Sequence, residues 1–109
     1  MNAPDPNAFS LDINDPEDAE LIEYFLSELP DRVDTILVAF TNDDFSELER
    51  VAHQLKGAAP GFGFPQIGTE AGKLEQQLKD TNNPSESLET LRSQVDQLVS
   101  LCNSYMNPS

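Results

Sequence analysis

The chain has 109 residues, with 20 acidic side chains against 6 basic ones and a formal net charge of -14. That length suits one domain with one modest core and excludes a deep catalytic chamber walled off from water. The charge repels nucleic acid and anionic lipid, so neither is an expected partner; it fits a basic protein partner, or simply a solvated acidic surface. No apolar run approaches the roughly 18 residues of a membrane span, and residues 1–16 lack the basic start and apolar block of a leader. With Cys102 as its lone cysteine the chain can form no internal disulfide, so a reducing, cytoplasmic location is expected.

Residues 1–16, with Pro4, Pro6, Pro16 and several Asn and Asp, read as an irregular arm in which Phe9, Leu11 and Ile13 alternate and lie across the rest of the domain. Asp12, Asp15, Glu17 and Asp18 lack the central glycine and terminal bidentate Glu of a calcium loop, so they read as a solvated turn leading into a helix. From Glu17 to Phe40, Ile22, Phe25, Leu26, Leu29, Val33, Ile36, Leu37 and Phe40 fall at helical spacing. Pro30 interrupts the run, and a proline inside a helix loses a hydrogen bond and clashes with the preceding turn. Two consecutive helices, or one bent helix, are therefore expected there. Thr41-Asn42-Asp43 forms the next turn.

Asp44 and Glu47 have the spacing of a capping box, opening a helix that runs to about Gly61, with Gly61 and Gly63 marking its end. Pro65 suits the first position of the next helix, whose Ile67, Ala71, Leu74 and Leu78 make a core seam. Asn82-Asn83-Pro84 ends it, and Asn83 with Glu86 resembles another cap. Leu88, Leu91, Val95, Leu98, Cys102 and Tyr105 alternate three and four apart along the last helix. No stretch alternates with period two for long enough to make a sheet. The expected fold is all-α: an antiparallel up-down four-helix bundle over residues 17–106, with an additional N-terminal helix or kinked helix extension and a tail at 107–109.

On a helical wheel, Leu48, Val51, Ala52, Leu55, Ala58, Ala59 and Phe62 gather on one side, and Ser46, Glu49, Arg50, His53, Lys56, Gly57 and Pro60 on the other. The only histidine thus falls in the middle of the solvent face, far from the core margin where a structural histidine finds partners. Surface histidines are common, but the neighbours here are chemically apt. Lys56 and Gly57 follow at three and four residues, on the same face. A cation beside an imidazole holds the oxygens of a phosphoryl group. A mid-helix glycine costs about 1 kcal/mol relative to Ala, so Gly57 is either a tolerated accident or a cleared approach for another protein's surface.

His53-Gln54-Leu55-Lys56-Gly57-Ala58-Ala59, followed by Gly63, resembles the signature of histidine-containing phosphotransfer domains. Phe62-Gly63-Phe64 is similar to the corresponding stretch of chemotaxis-kinase phosphoacceptor domains, and Leu74-Glu75 falls where the family has a Leu-Glu pair. The resemblance covers roughly Glu17 to Leu78. It implies that His53 is the phosphoacceptor, that Lys56 steadies phosphate charge, and that Gln54, Gly57, Glu49 and Pro60 meet the partner, with Gly63 and Pro65 structural. Glu75 is either the group that orients His53 through its other ring nitrogen or an ordinary surface carboxylate. Pro60 stands where the family has a small residue and should end or bend the His53 helix early. Gly72 replaces a second histidine of the chemotaxis type, which argues against a fragment of such a kinase.

Gly68, Gly72, Glu75 and Lys79 make a stripe beside the core seam of their helix, and internal packing is the favoured reading of its glycines. Phe45 and Phe64 flank the His53 helix and are expected mainly in the core, while apolar and small groups are expected around His53. The resemblance implies response-regulator receiver domains and a hybrid sensor kinase as partners, with magnesium supplied by the receiver. No phosphate loop ending in Lys-Ser or Lys-Thr is present, so no autokinase activity, cofactor or metal site is expected, and a monomeric phosphocarrier rather than an enzyme is implied. Two alternatives stay open: an acceptor phosphorylated directly by a chemotaxis-type kinase core, and an acidic helical binding module without the chemistry.

Overall fold

The computed structural model describes residues 14–81 and 83–106, the side chain of Ser85 apart; the expected arm, with Phe9, Leu11 and Ile13, and the tail lie outside the described residues. Four helices follow one another: α1 (Pro16–Thr41), α2 (Phe45–Ala58), α3 (Pro65–Asp80) and α4 (Leu88–Met106), with 3-10 turns at Ala59–Phe62 and Pro84–Ser87. Among the described residues there is no strand. The starts are written locally. Asp15 Oδ1 accepts from the Glu17 amide at 3.0 Å ahead of Pro16, and Asp44 Oδ1 accepts from the Glu47 amide at 3.2 Å. Asp43, at φ 56°, reverses the chain between α1 and α2.

The helices close a square in which α1 touches α2 and α4, and α3 touches α2 and α4. Short connections make sequential neighbours antiparallel. One apolar stripe from each helix fills the centre: Leu29 and Ile36, Leu48 and Leu55, Ile67 and Leu74, and Leu91 and Leu98 are all essentially sealed from water. At one end Phe25 stacks on Phe62 and Phe64 with ring centroids 5.2 and 5.1 Å away, and Phe64 meets Tyr105 edge-on at 4.8 Å. This cluster ties the α2–α3 connection to the start of α1 and the end of α4. Phe64 is buried and Phe45 half-buried against the core.

At Pro30 the chain keeps a single helix, rather than the two consecutive helices that were the other arrangement expected there. Residues 16–41 form one helix, and among the described residues there is no separate N-terminal helix. Pro30 is exposed, while Phe25, Leu29, Val33 and Ile36 are buried before and after it. Packing on both flanks offsets a local cost of about 3 kcal/mol. At Pro84 the chain makes a 3-10 turn closed by a Glu86 amide to Asn83 carbonyl bond of 3.0 Å before α4 begins. Ala58, placed with the core by the wheel, is exposed at the last residue of α2.

Candidate functional site

α2 turns Leu48, Val51, Ala52 and Leu55 inward, which sends His53 outward with 70 % of its side chain exposed. Facing it across the α2–α3 seam is Glu75, only 3 % exposed. Glu75 Oε2 lies 2.6 Å from His53 Nδ1, and Oε1 accepts from Lys56 Nζ at 3.3 Å. Lys79, one turn further along α3, sets its Nζ 3.4 Å from Oε2. A carboxylate withdrawn from water needs such partners to remain charged. Burial pushes the Glu75 carboxyl up, but hydrogen bonds from His53 and Lys56 and the charges of Lys79 and His53 outweigh it, leaving its pKa below the ordinary value. An ionised carboxylate only accepts. In the neutral ring the proton therefore sits on Nδ1, and Nε2 keeps its lone pair.

Two glycines of α3 face the α2 side of the seam. A Cβ on Gly72 would lie 3.5 Å from Lys56 Cδ, so the lysine stem runs over a bare backbone to reach Glu75. A Cβ on Gly68 would lie 2.7 Å from Pro60 Cγ, inside contact distance. Gly68 thus serves internal packing, whereas a Cβ at Gly72 would make ordinary contact with the lysine stem. Pro60 also brings the early helix end expected of it: α2 stops at Ala58 and gives way to the 3-10 turn, closed by Gly63 at φ 93°. Left-handed backbone of this kind favours glycine. Pro65 opens α3.

Gly57 is different. A Cβ there would meet nothing within 4 Å, so nothing in this chain demands glycine at that position. Gln54 accepts from Arg32 Nη1 of α1 at 2.7 Å, which fixes its amide beside His53. Glu49, Ser46, Arg50, His53, Glu75 and Lys79 line a shallow depression. Arg50 is ion-paired with Glu47, which lowers the Glu47 pKa and raises that of Arg50 through their hydrogen bond.

The ring's immediate surround is thus charged and polar, contrary to the apolar border expected from the sequence. Apolar surface lies instead in a groove of about 330 Å³ between α1 and the end of α2, bordered by Tyr24, Phe25, Ala58 and Phe62. Lys79 and Arg50 are site members that sequence reading did not assign. The usable signal was the spacing of Lys79 four residues after Glu75 and of Arg50 three before His53. Among the described residues no group of three or more His, Cys, Asp or Glu is gathered to hold a metal ion. No helix among them is long and apolar enough to cross a membrane.

An antiparallel four-helix bundle that presents one exposed imidazole, held from behind by a buried carboxylate, belongs to the class of small helical modules that offer a histidine to a partner protein. A family model for the Hpt domain matches residues 20–101, and the chain belongs to that family. Membership brings histidine phosphotransfer in two-component phosphorelays, the work of a phosphocarrier module. No curated protein and no solved structure matches the chain.

Proposed function

We propose that the chain is a relay intermediate in which His53 accepts a phosphoryl group from the phosphoaspartate of one receiver domain and passes it to another. The observation that carries this reading is the 2.6 Å contact between His53 Nδ1 and the buried Glu75 carboxylate, on a ring that is otherwise open. With Nδ1 so engaged, Nε2 is the free nucleophile. Its lone pair attacks phosphorus, the N–P bond forms as the aspartyl O–P bond breaks, and the aspartate leaves as a carboxylate. The Nδ1 proton stays on the ring, where Glu75 stabilises the positive charge that develops. Return of the phosphoryl group to a second receiver is the same step reversed.

Such a transfer needs positioning and charge neutralisation more than covalent assistance. Lys56 supplies positive charge beside the ring, while Gly57, Gln54, Glu49 and Pro60 meet the receiver. Magnesium and the acceptor aspartate come from the receiver, and a hybrid sensor kinase stands upstream. The chain then needs no nucleotide site and is a carrier without autokinase activity. It acts as a cytoplasmic monomer through residues 17–106.

The test is incubation of the purified protein with radiolabelled phosphorylated receivers from the same organism, alongside His53→Gln. Acid-labile, base-stable label on the wild type alone is the expected result. Absence of label from every receiver would leave a helical binding module.

A further inference from the structure

Five large apolar side chains stand exposed among the described residues, and they fall in two places. Leu37, Val38 and Leu88 lie where α1 ends and α4 begins, whereas Leu21 and Tyr24, 45 % and 58 % exposed, lie near the start of α1. The second pair leads into the groove between α1 and the end of α2. Leu21, Tyr24, Glu28 and Arg32 follow one another at three- and four-residue steps on one face of α1, and the last three border the groove together with Phe62. Arg32 is the only basic side chain of α1. Its guanidinium donates to Gln54, and among the described residues it forms no ion pair. The face is thus an apolar track with a cation at its far end.

Thirteen residues precede Asn14, and the chain turns at Asn14 and bends at Asp15 immediately before α1. A helix rises about 1.5 Å per residue and an extended chain about 3.3 Å. A segment running back along α1 from Asn14 therefore comes level with Tyr24, about 15 Å on, at Phe9, and level with Arg32, about 27 Å on, close to Asp5. Alternation puts Asp5, Phe9, Leu11 and Ile13 on the same side of such a segment, and Pro4 and Pro6 oppose a helix there. Val38 is about 36 Å from Asn14, out of range for Phe9. We propose that residues 5–13 dock in this groove antiparallel to α1, with Phe9 against Tyr24 and Phe62 and Asp5 paired with Arg32. Resting on the relay reading above, the docked segment also hinders receivers, because Gln54 borders the groove and is next to His53. The imidazole itself does not border it and stays open to small donors.

A spin label on the full chain tests the docking. Cys102 is buried, so a nitroxide reagent applied to native Ala8→Cys attaches to the introduced thiol, on the side of the segment turned away from α1. Amide signals of Glu28, Ala58 and Phe62 in the groove should lose most of their intensity, while those of Glu70 and Ser100 on the opposite α3–α4 face keep theirs. Phe9→Ser or Asp5→Asn in the labelled protein should restore the groove signals, and for the wild-type Asp5 added salt should restore them in part. Groove signals that keep their intensity, or a loss spread equally over both faces, would overturn the proposal. So would loss in nitrogen-15-labelled wild type mixed with the spin-labelled chain, which would put a second copy in the groove. A segment seated half to four-fifths of the time leaves about a half to a fifth of the molecules open, so Phe9→Ser should speed transfer from receivers by about two- to fivefold. Labelling by phosphoramidate should not change. Restored groove signals with unchanged receiver transfer would overturn the hindrance. A wild-type chain that takes no phosphoryl group from receivers would overturn the relay reading alone, and the spin label would still decide the docking.

Discussion

Replacing Gly57 by Ala should make the protein more stable and a poorer relay component. A Cβ at this position meets nothing within 4 Å, so the methyl group adds no internal clash. What remains is the backbone term, about 1 kcal/mol in a helix interior. Gly57 lies in the last turn of α2, where part of that preference is lost, so a gain of about 0.5–1 kcal/mol is expected. For a domain of this size that corresponds to a rise in Tm of about 2–6 °C. Urea and thermal unfolding followed by far-ultraviolet circular dichroism measure it directly. The same methyl group stands beside His53 on the face offered to a receiver, and an intruding group in a packed contact costs about 1–3 kcal/mol. Transfer from a phosphorylated receiver should therefore slow by about fivefold or more. A variant no more stable than wild type would refute the helix argument. A more stable variant that accepts phosphate from receivers at the wild-type rate would refute the docking role.

The companion substitution Gly68→Ala should do the reverse, destabilising by about 1–3 kcal/mol because its Cβ would fall 2.7 Å from Pro60 Cγ; the urea midpoint checks it. Glu75→Ala should cost about 1–3 kcal/mol, less than a fully enclosed pair because Lys56 and Lys79 stay half in water, and should slow phosphorylation of His53. Because the folded Glu75 pKa lies below its ordinary 4.5, its contribution to stability is present above that value and disappears as pH falls through the folded one. The stability gap between wild type and Glu75→Ala should hold at pH 7 and close under acid. Cys102, buried and pushed up to about 11, should resist a thiol reagent in the native protein and react once urea unfolds it.

The four helices were legible because each carries one apolar stripe at helical spacing, and because Asp44, Gly63 and Pro65 punctuate the chain with side chains whose local effects are strong. Pro30 left two helices and one bent helix both open for the opposite reason. Its local preference is real, but Leu29 and Val33 are buried on either side of it, and no local pattern reveals that packing will carry a helix through. His53 was legible from its place on the wheel and its run of neighbours. The burial of Glu75 was not, because a carboxylate beside a core seam looks the same whether it meets water or a lysine on another helix. Its environment depends on partners from two helices, His53 and Lys56 of α2 and Lys79 of α3. The charged border of His53 was missed for the same reason, since Lys79 and Arg50 come to border one depression only when α2 and α3 pack.

The central claim is that Nε2 of His53 carries the phosphoryl group while Glu75 holds Nδ1. Phosphorylating nitrogen-15-labelled protein and recording the imidazole nitrogens together with phosphorus-31 tests it directly. One phosphorus coupled to Nε2 of His53, with a proton retained on Nδ1, is the expected result. Phosphorus on Nδ1, or on any other residue, would contradict it.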